Sequence, residues 1–350
     1  YHPYRVKEVK DATGAALPFD QDDSSVVVFL PEPAAVGQPL NLSFRMEGNI
    51  LLLPPDGSRI WRFDSLSWLP MPEWPGMAFT FRGTLKTKKP FVPIVPGDTL
   101  RRGEEGDWLV HEARISVPVD FVSLVAGNFQ TLEEQHKGRT VRVSTYAMGG
   151  LNARSLAKLA LGISDFYEYL LAPFPFKELN IVQYPSYGFG QAPAGLIYMT
   201  NETFSQASDP RDDMMRKIFS KGINHRFAHE IAHQYWGQML KMPSWEEQWL
   251  TESFAEFCSA LCLDILKIRG NPSYEDAAHA WHTEAQRHAP LVTIPFANEL
   301  HSEDVWEDMS VRKSLIYSKG ALLLHDLRRQ TGDKAFFAVL RHLLKSHPFG

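Results

Sequence analysis

His229-Glu230-Ile231-Ala232-His233, with Glu252 nineteen positions beyond the second histidine, is the feature that most restricts how this chain can fold. Side chains four apart on a helix share a face, so the two imidazoles point the same way while Glu230, one residue round the turn, stays clear of them. A ligand that far downstream has to come from a second helix, packed against the first so that Glu252 is aimed at the space between the histidines. Two imidazoles and one carboxylate then surround a point with a fourth position open for water, and Glu230 is left free to move a proton.

One zinc ion is the metal this donor set suits best, and metal-assisted hydrolysis is the chemistry it would support. The spacing carries the inference. With 13 histidines and 41 acidic residues in 350, chance produces the short motif about 0.06 times per chain, and about 0.007 times with an acid at one fixed later position. Glu256, four residues after Glu252 on the same face, is placed to hold the far ring nitrogen of a histidine ligand. A solvated glutamate in a salt bridge fits the sequence equally well.

Around this centre the chain changes character. From Val26 to about Gln130 it reads as short strands between Pro, Gly and Asp turns: Ser25 to Leu30, Leu40 to Met46, Ala78 to Thr87, Trp108 to Val117 and Ser123 to Phe129. Two packed antiparallel sheets are expected, with the tracts Leu69 to Pro75 and Pro90 to Pro96 as loops and edge protection. A further strand, Thr140 to Tyr146, leads to Gly149-Gly150, after which helices dominate. Ser155 to Leu171 has helical spacing, Leu179 to Tyr184 and Gly195 to Met199 read as strands around a loop, and Ser208-Asp209-Pro210 is a helix start. The motif helix is expected from about Ile223 to Tyr235, and a second from about Glu252 to Ile268 with Glu252 in its first turn. The fold class is therefore multi-domain, an antiparallel β-sandwich over residues 1–140 followed by a mainly helical α/β domain over residues 141–350.

Composition excludes several partners. A net charge of −5 with scattered Lys and Arg argues against nucleic acid, and no apolar run approaches a membrane span, so no membrane contact is expected from this segment. The chain begins at Tyr1 without a methionine or leader, so exported, membrane-tethered and cytoplasmic settings all remain compatible with it. Cys258 and Cys262 read as small buried apolar residues. His225 reads as lying behind the ligands or on the surface, His279, His282 and His288 as a solvated helix face, and Glu303, Asp304, Glu307 and Asp308 as an exposed helix start or loop.

His229-Glu230-Ile231-Ala232-His233-Gln234-Tyr235-Trp236-Gly237 with Trp249-Leu250-Thr251-Glu252-Ser253-Phe254-Ala255-Glu256 resembles the aminopeptidase N family of gluzincin metallopeptidases, whose pattern is close to HELAHQWFG and then WLNEGFAEY. Val125-Ala126-Gly127-Asn128-Phe129 resembles the last segment of that family's amino-terminal β domain, and Tyr317-Ser318-Lys319-Gly320 its Y-x-K-G segment. The resemblance implies a thermolysin-like catalytic domain, a peptide substrate, zinc on His229, His233 and Glu252, Glu230 as base, and Tyr317 as the hydroxyl that stabilises the oxyanion. It also implies a large helical region beyond residue 350.

One departure bears on activity. The family's G-x-M-E-N loop carries a glutamate that binds the substrate's free amino group. Aligned on Gly195-Leu196-Ile197, the loop here is Gly190, Gln191, Ala192, Pro193 and Ala194, the expected substrate-binding segment, with Ala192 in the glutamate's place. Loss of such a charge-assisted anchor commonly costs about 1.5–3 kcal/mol. Either Gln191 offers its carbonyl to the amine or the loop lines the cleft with backbone groups, the second being favoured. The expected function is an aminopeptidase-like zinc peptidase; the alternatives are an endopeptidase or other amide hydrolase, or a non-catalytic peptide-binding domain.

Overall fold

The structure is a computed structural model and describes residues 4–22, 25–35, 39–48, 59–71, 78–146, 152–186, 188, 190–204, 223–242, 247–268, 271–288, 311 and 313–349. Its amino-terminal part is built from strands with the alternation a half-buried sheet requires. Phe79–Lys88 alternates half-buried and exposed side chains along its length and pairs with Trp108–Val119, which in turn pairs with Asp98–Glu105. Ser123–Gly127, buried throughout, lies between Ile60–Asp64 and Val92–Ile94. Tyr4–Lys10 pairs with Ser43–Gly48, and Phe19–Gln21 with Val26–Val28.

Among the described residues the antiparallel region is thus divided into two three-stranded and two two-stranded sheets rather than the two sheets expected. Val92–Ile94, inside a proline tract expected to be loop, forms a strand because it occupies a sheet edge, where Pro93 costs no central ladder bond.

A five-stranded sheet follows in the order Gln130–His136, Arg139–Thr145, Glu178–Tyr184, Leu196–Thr200, Gly190–Gln191. Its inner pairings are parallel and its outer ones antiparallel. The parallel step from Arg139–Thr145 to Glu178–Tyr184 needs a crossover, supplied by helix Ala153–Leu170, which buries Leu156, Ala160, Ile163, Tyr167 and Leu170. The 140/141 boundary expected from sequence falls inside the hairpin Gln130–Thr145. That hairpin hydrogen-bonds into this sheet. Val125, Ile94 and Ile60 from the amino-terminal sheets pack with Val182, Leu196 and Tyr198, so one apolar cluster ties the two parts together.

The remainder is helical. Ile223–Ala232 and Gln248–Ile265 pack into a core with Phe227, Ile231, Trp236, Phe257 and Trp281. Gln248–Ile265 starts a turn earlier than expected, so Glu252 lies just past the first turn; Thr251 Oγ donates to the Gln248 carbonyl at 2.9 Å and helps to close that turn. Tyr274–His288 follows, its His279 and His282 exposed as expected. A π-helical turn, Ser314–Lys319, then leads into Gly320–Thr331 and Asp333–Ser346. Cys258 and Cys262 are free and buried. Among the described residues no helix is long and apolar enough to cross a membrane. Gly149-Gly150, Ser208-Asp209-Pro210 and the acidic set from Glu303 to Asp308 lie outside the described residues.

Candidate active site

The helix pair does what the motif demands. His229, His233 and Glu252 present ligand atoms that all lie within 4.8 Å of one another. Glu252 Oε2 is 3.2 Å from His229 Nε2 and 3.4 Å from His233 Nε2, so both imidazoles turn the same ring nitrogen to one carboxylate. The rings stand edge to face, 4.5 Å apart at 88°. A carbonyl can only accept, so the 2.9 Å contact between His233 Nδ1 and the Trp236 oxygen puts a proton on Nδ1 and leaves Nε2 as the ring nitrogen turned to Glu252. Two imidazole Nε2 atoms, neutral once a metal displaces any proton they carry, and one carboxylate oxygen at this spacing suit one zinc ion with a position to spare.

Burial pushes the His229 pKa down, and the nearby His233 pushes it further. Burial opposes charge on His233 too, but the Glu252 carboxylate beside it wins and raises its pKa. Against burial, His233 and hydrogen bonds from both histidines hold Glu252 far below the usual carboxylate range.

Behind His229 is a polar cluster in an otherwise apolar core. Glu256 Oε2 is 3.7 Å from His229 Nδ1, longer than a hydrogen bond, and 3.0 Å from His225 Nε2. Trp281 Nε1 donates to Glu256 Oε1 at 2.8 Å. Ser259 Oγ gives its proton to the Glu256 carbonyl at 2.8 Å, so at 2.9 Å it accepts from His225 Nε2. His225, read from sequence as either inner or surface, is buried and braces Glu256.

Glu230 projects from the same helix into a site that Gly190 closes. A Cβ added to Gly190 would sit 2.3 Å from Glu230 Oε1, 2.7 Å from its Cδ and 2.8 Å from its Cγ, so only glycine leaves the carboxylate where it is. Burial, opposed by His233 and reinforced by Glu252, lifts the Glu230 pKa to about 7. Gly190→Ala is expected to lower kcat/KM roughly 100-fold, the cost of displacing a reacting group by about 1 Å. Zinc content should stay unchanged, because no ligand is touched. Undiminished turnover in a zinc-loaded variant would refute this.

Tyr317 stacks on His229 with ring centroids 5.7 Å apart at 22°. Burial raises its phenol pKa well above the ordinary value, and the charge of Glu252 and a hydrogen bond to it add to the shift. The π-turn that carries Tyr317 is pinned by Ser253 Oγ, which donates to the Ile316 carbonyl. A Cβ on Gly320 would meet that Oγ at 1.8 Å. Single π-turns recur at functional sites because they re-aim a side chain within an otherwise regular helix.

The Gly190 to Ala194 segment, expected to be a loop, begins as a strand. Gly190–Gln191 pairs with Tyr198 and Met199 at the sheet edge. Its later carbonyls are occupied: Gln238 Nε2 donates to the Ala192 oxygen at 3.0 Å and Gln234 Nε2 to the Pro193 oxygen at 3.4 Å. Gln191 Oε1 accepts from Arg62, a residue missed in the sequence, whose guanidinium also binds Asp64 and lies 4.6 Å from the centre of the Tyr198 ring. The signal was there in Ile60 to Asp64, where Arg62 and Asp64 alternate with apolar residues as on a strand. Gly190, Gln191, Ala192 and Pro193, with His229, Glu230, His233, Glu252 and Tyr317, border a cleft of about 280 Å³ that also takes in Leu66, Asp120, Phe121, Gln238, Met242 and Gln248; Ala194 is fully buried and does not line it.

Residues 155–350 match the family described as Peptidase family M1 domain. The chain is 22% identical over 351 residues to probable aminopeptidase 1 of Sulfurisphaera tokodaii, covering 95% of this chain and 42% of that protein. It is 24% identical over 265 residues to endoplasmic reticulum aminopeptidase 1 of Homo sapiens, covering 74% of this chain and 27% of that one. It thus spans less than half the length of these relatives. An M1 zinc metallopeptidase from Deinococcus radiodurans has the same fold, with a TM-score of 0.73 at 19% identity over 99% of this chain and 77% of that one. A second structure of that protein, a mutant form with a TM-score of 0.70 and 19% identity, over the same 99% and 77%, holds a Tyr-Ser-Ala substrate.

Proposed function

This chain belongs to peptidase family M1, and on that premise we propose that it is a zinc-dependent peptidase that cleaves short or unfolded peptides from the amino end. The observation that carries the reading is the convergence of His229, His233 and Glu252 within 4.8 Å beside a buried Glu230. When bound by those three side chains, zinc supplies a Lewis acid that acidifies water and polarises a carbonyl. Glu230 takes the proton from the attacking water and passes it to the leaving nitrogen, a task suited to a carboxylate whose pKa burial has lifted to about 7. Tyr317, stacked on His229, gives its hydroxyl hydrogen to the developing oxyanion. Glu256, braced by His225 and Trp281, holds His229 in orientation. The edge strand Gly190–Gln191 receives the peptide backbone, and Ala192 and Pro193 shape the wall beside it, with Ala194 packed in the core behind them.

A second reading, cleavage that needs no free amine, is favoured by one observation. Ala192 offers no carboxylate, and the Gln191 carbonyl that could replace it is engaged by Arg62. A matched pair of peptides, one with a free and one with an acetylated amino terminus, separates the two. The zinc-loaded chain is expected to turn over the free peptide at least about tenfold faster, the effect of one charge-assisted contact. Equal turnover rejects the amino-end reading, and no turnover of either with zinc bound rejects the enzyme.

A further inference from the structure

The reaction as proposed leaves one wall of the cleft without a task. Asp120 lies in the short connection between strands Trp108–Val119 and Ser123–Gly127, and lines the cleft that Gln238 and Met242 also border. That connection is held firmly: Ser65 N donates to the Val122 carbonyl at 2.8 Å, and Ser65 Oγ accepts from Val122 N at 3.1 Å. Asp120 is only 7% exposed. Among the described residues its carboxylate has no side-chain hydrogen-bond partner and no cation within ion-pairing distance; its own backbone N–H is its only donor. Lys241 acts on it through space, but that ammonium donates to the Phe349 carbonyl instead. Burial accordingly raises the Asp120 pKa, with Lys241 only partly opposing it.

Gln238, which also borders the cleft, spends one Nε2 hydrogen on the Ala192 carbonyl, and among the described residues its Oε1, closed off from solvent, has no partner. Flipping the amide would set oxygen against oxygen at Ala192, so the assignment holds. Taking a carboxylate out of water without a counter-charge is expensive, and so is burying an amide oxygen without a donor. An unpartnered carboxylate on the cleft wall matches a ligand that brings positive charge and N–H donors.

We propose that Asp120 is the specificity-determining acceptor for a cationic nitrogen of the substrate, either the α-ammonium of the peptide or a lysine or arginine side chain next to the scissile bond. This rests on the peptidase reading of the cleft and deepens it. A carboxylate on this wall replaces the missing acid at Ala192 from a different part of the fold, and it selects cationic peptides over neutral ones of the same size.

The test uses the zinc-loaded full chain and four peptides, with lysine or norleucine beside the scissile bond and a free or acetylated amino terminus. Wild type should prefer peptides that carry the recognised cation over acetylated norleucine peptide by at least about tenfold in kcat/KM. Asp120→Asn keeps the size and removes the charge; it should raise KM for those peptides about 10–100-fold and leave kcat within about twofold. A loss that follows the free terminus identifies the α-ammonium, and one that follows lysine identifies the basic side chain; either supports the proposal. An unchanged KM in Asp120→Asn overturns it. Should that variant not fold, wild type that cleaves acetylated norleucine peptide as well as the cationic ones overturns it alone. Turnover without charge preference removes this inference and spares the peptidase reading, whereas no turnover of any of the four removes both.

Discussion

Glu230→Gln is expected to lower kcat by about 10²–10⁴-fold, the usual contribution of a positioned general base, while zinc content and fold are retained. The carboxylate is buried against Gly190, and the amide of glutamine has nearly the same shape, so the variant fits the space that admits nothing larger. Glu230 is not among the three side chains whose ligand atoms converge, so the metal's holders are left intact. What is lost is a group able to accept a proton. Because burial holds the carboxyl pKa at about 7, the native side chain is both a base and an acid near neutrality, and the amide is neither. KM should change little, since the effect falls on the transition state. Stopped-flow or progress-curve kinetics on a free-amine peptide, with metal analysis of the same sample, decide the matter. Retention of more than about a tenth of the wild-type kcat with one zinc per chain would reject Glu230 as the base.

How much of this was legible before the structure depends on the range of the interaction. His229, Glu230 and His233 are related by helical geometry alone, and Glu252 by the requirement that a second helix meet the first, so local periodicity carried them. Tyr317 could not be reached that way. It arrives through a π-turn 65 residues beyond Glu252 in the chain, and only the resemblance pointed to it among 11 tyrosines. Asp120 was silent for a different reason, and Arg62, though its strand pattern was visible, gave no sign that it would reach Gln191. Both come from the amino-terminal sheets and matter only because Ile60, Ile94 and Val125 pack against Val182 and Leu196 and fix the two parts together. Asp120 stands alone between Val119 and Phe121, and a lone acid between apolar neighbours reads in sequence as the end of a strand. The sheet that the hairpin Gln130–Thr145 joins was not legible either, because it has the antiparallel pattern of the strands before it, while its second strand is bonded in parallel to Glu178–Tyr184. Nothing in a β-strand's own residues says which sheet it will join.

Glu252→Ala is expected to abolish activity by a different route, through loss of the metal rather than of the base. Two imidazoles four residues apart remain, but the acidic partner that, among the described residues, both approach, at 3.2 and 3.4 Å, is removed. A three-ligand zinc site releases about 10–16 kcal/mol on the scale of structural zinc sites, so one ligand accounts for roughly 3–5 kcal/mol, or about 10²–10⁴-fold in Kd. The change also reaches the protonation of the survivors. Glu252 is what raises the His233 pKa against burial, and without it burial dominates. His233 then becomes neutral more readily, which favours metal binding and recovers part of the loss, so the lower half of that range is the better expectation. Ligand linkage gives a readout independent of catalysis. Adding zinc to the metal-stripped wild type should raise Tm by an amount that grows with log zinc, and the same titration should move the variant only at about 10²-fold or more higher concentration. Equal midpoints for wild type and variant would show that Glu252 is no ligand. Glu230→Gln serves as the contrast, because it should lose turnover and keep the wild-type zinc midpoint. The pair of variants thus separates the residue that holds the ion from the residue that moves the proton.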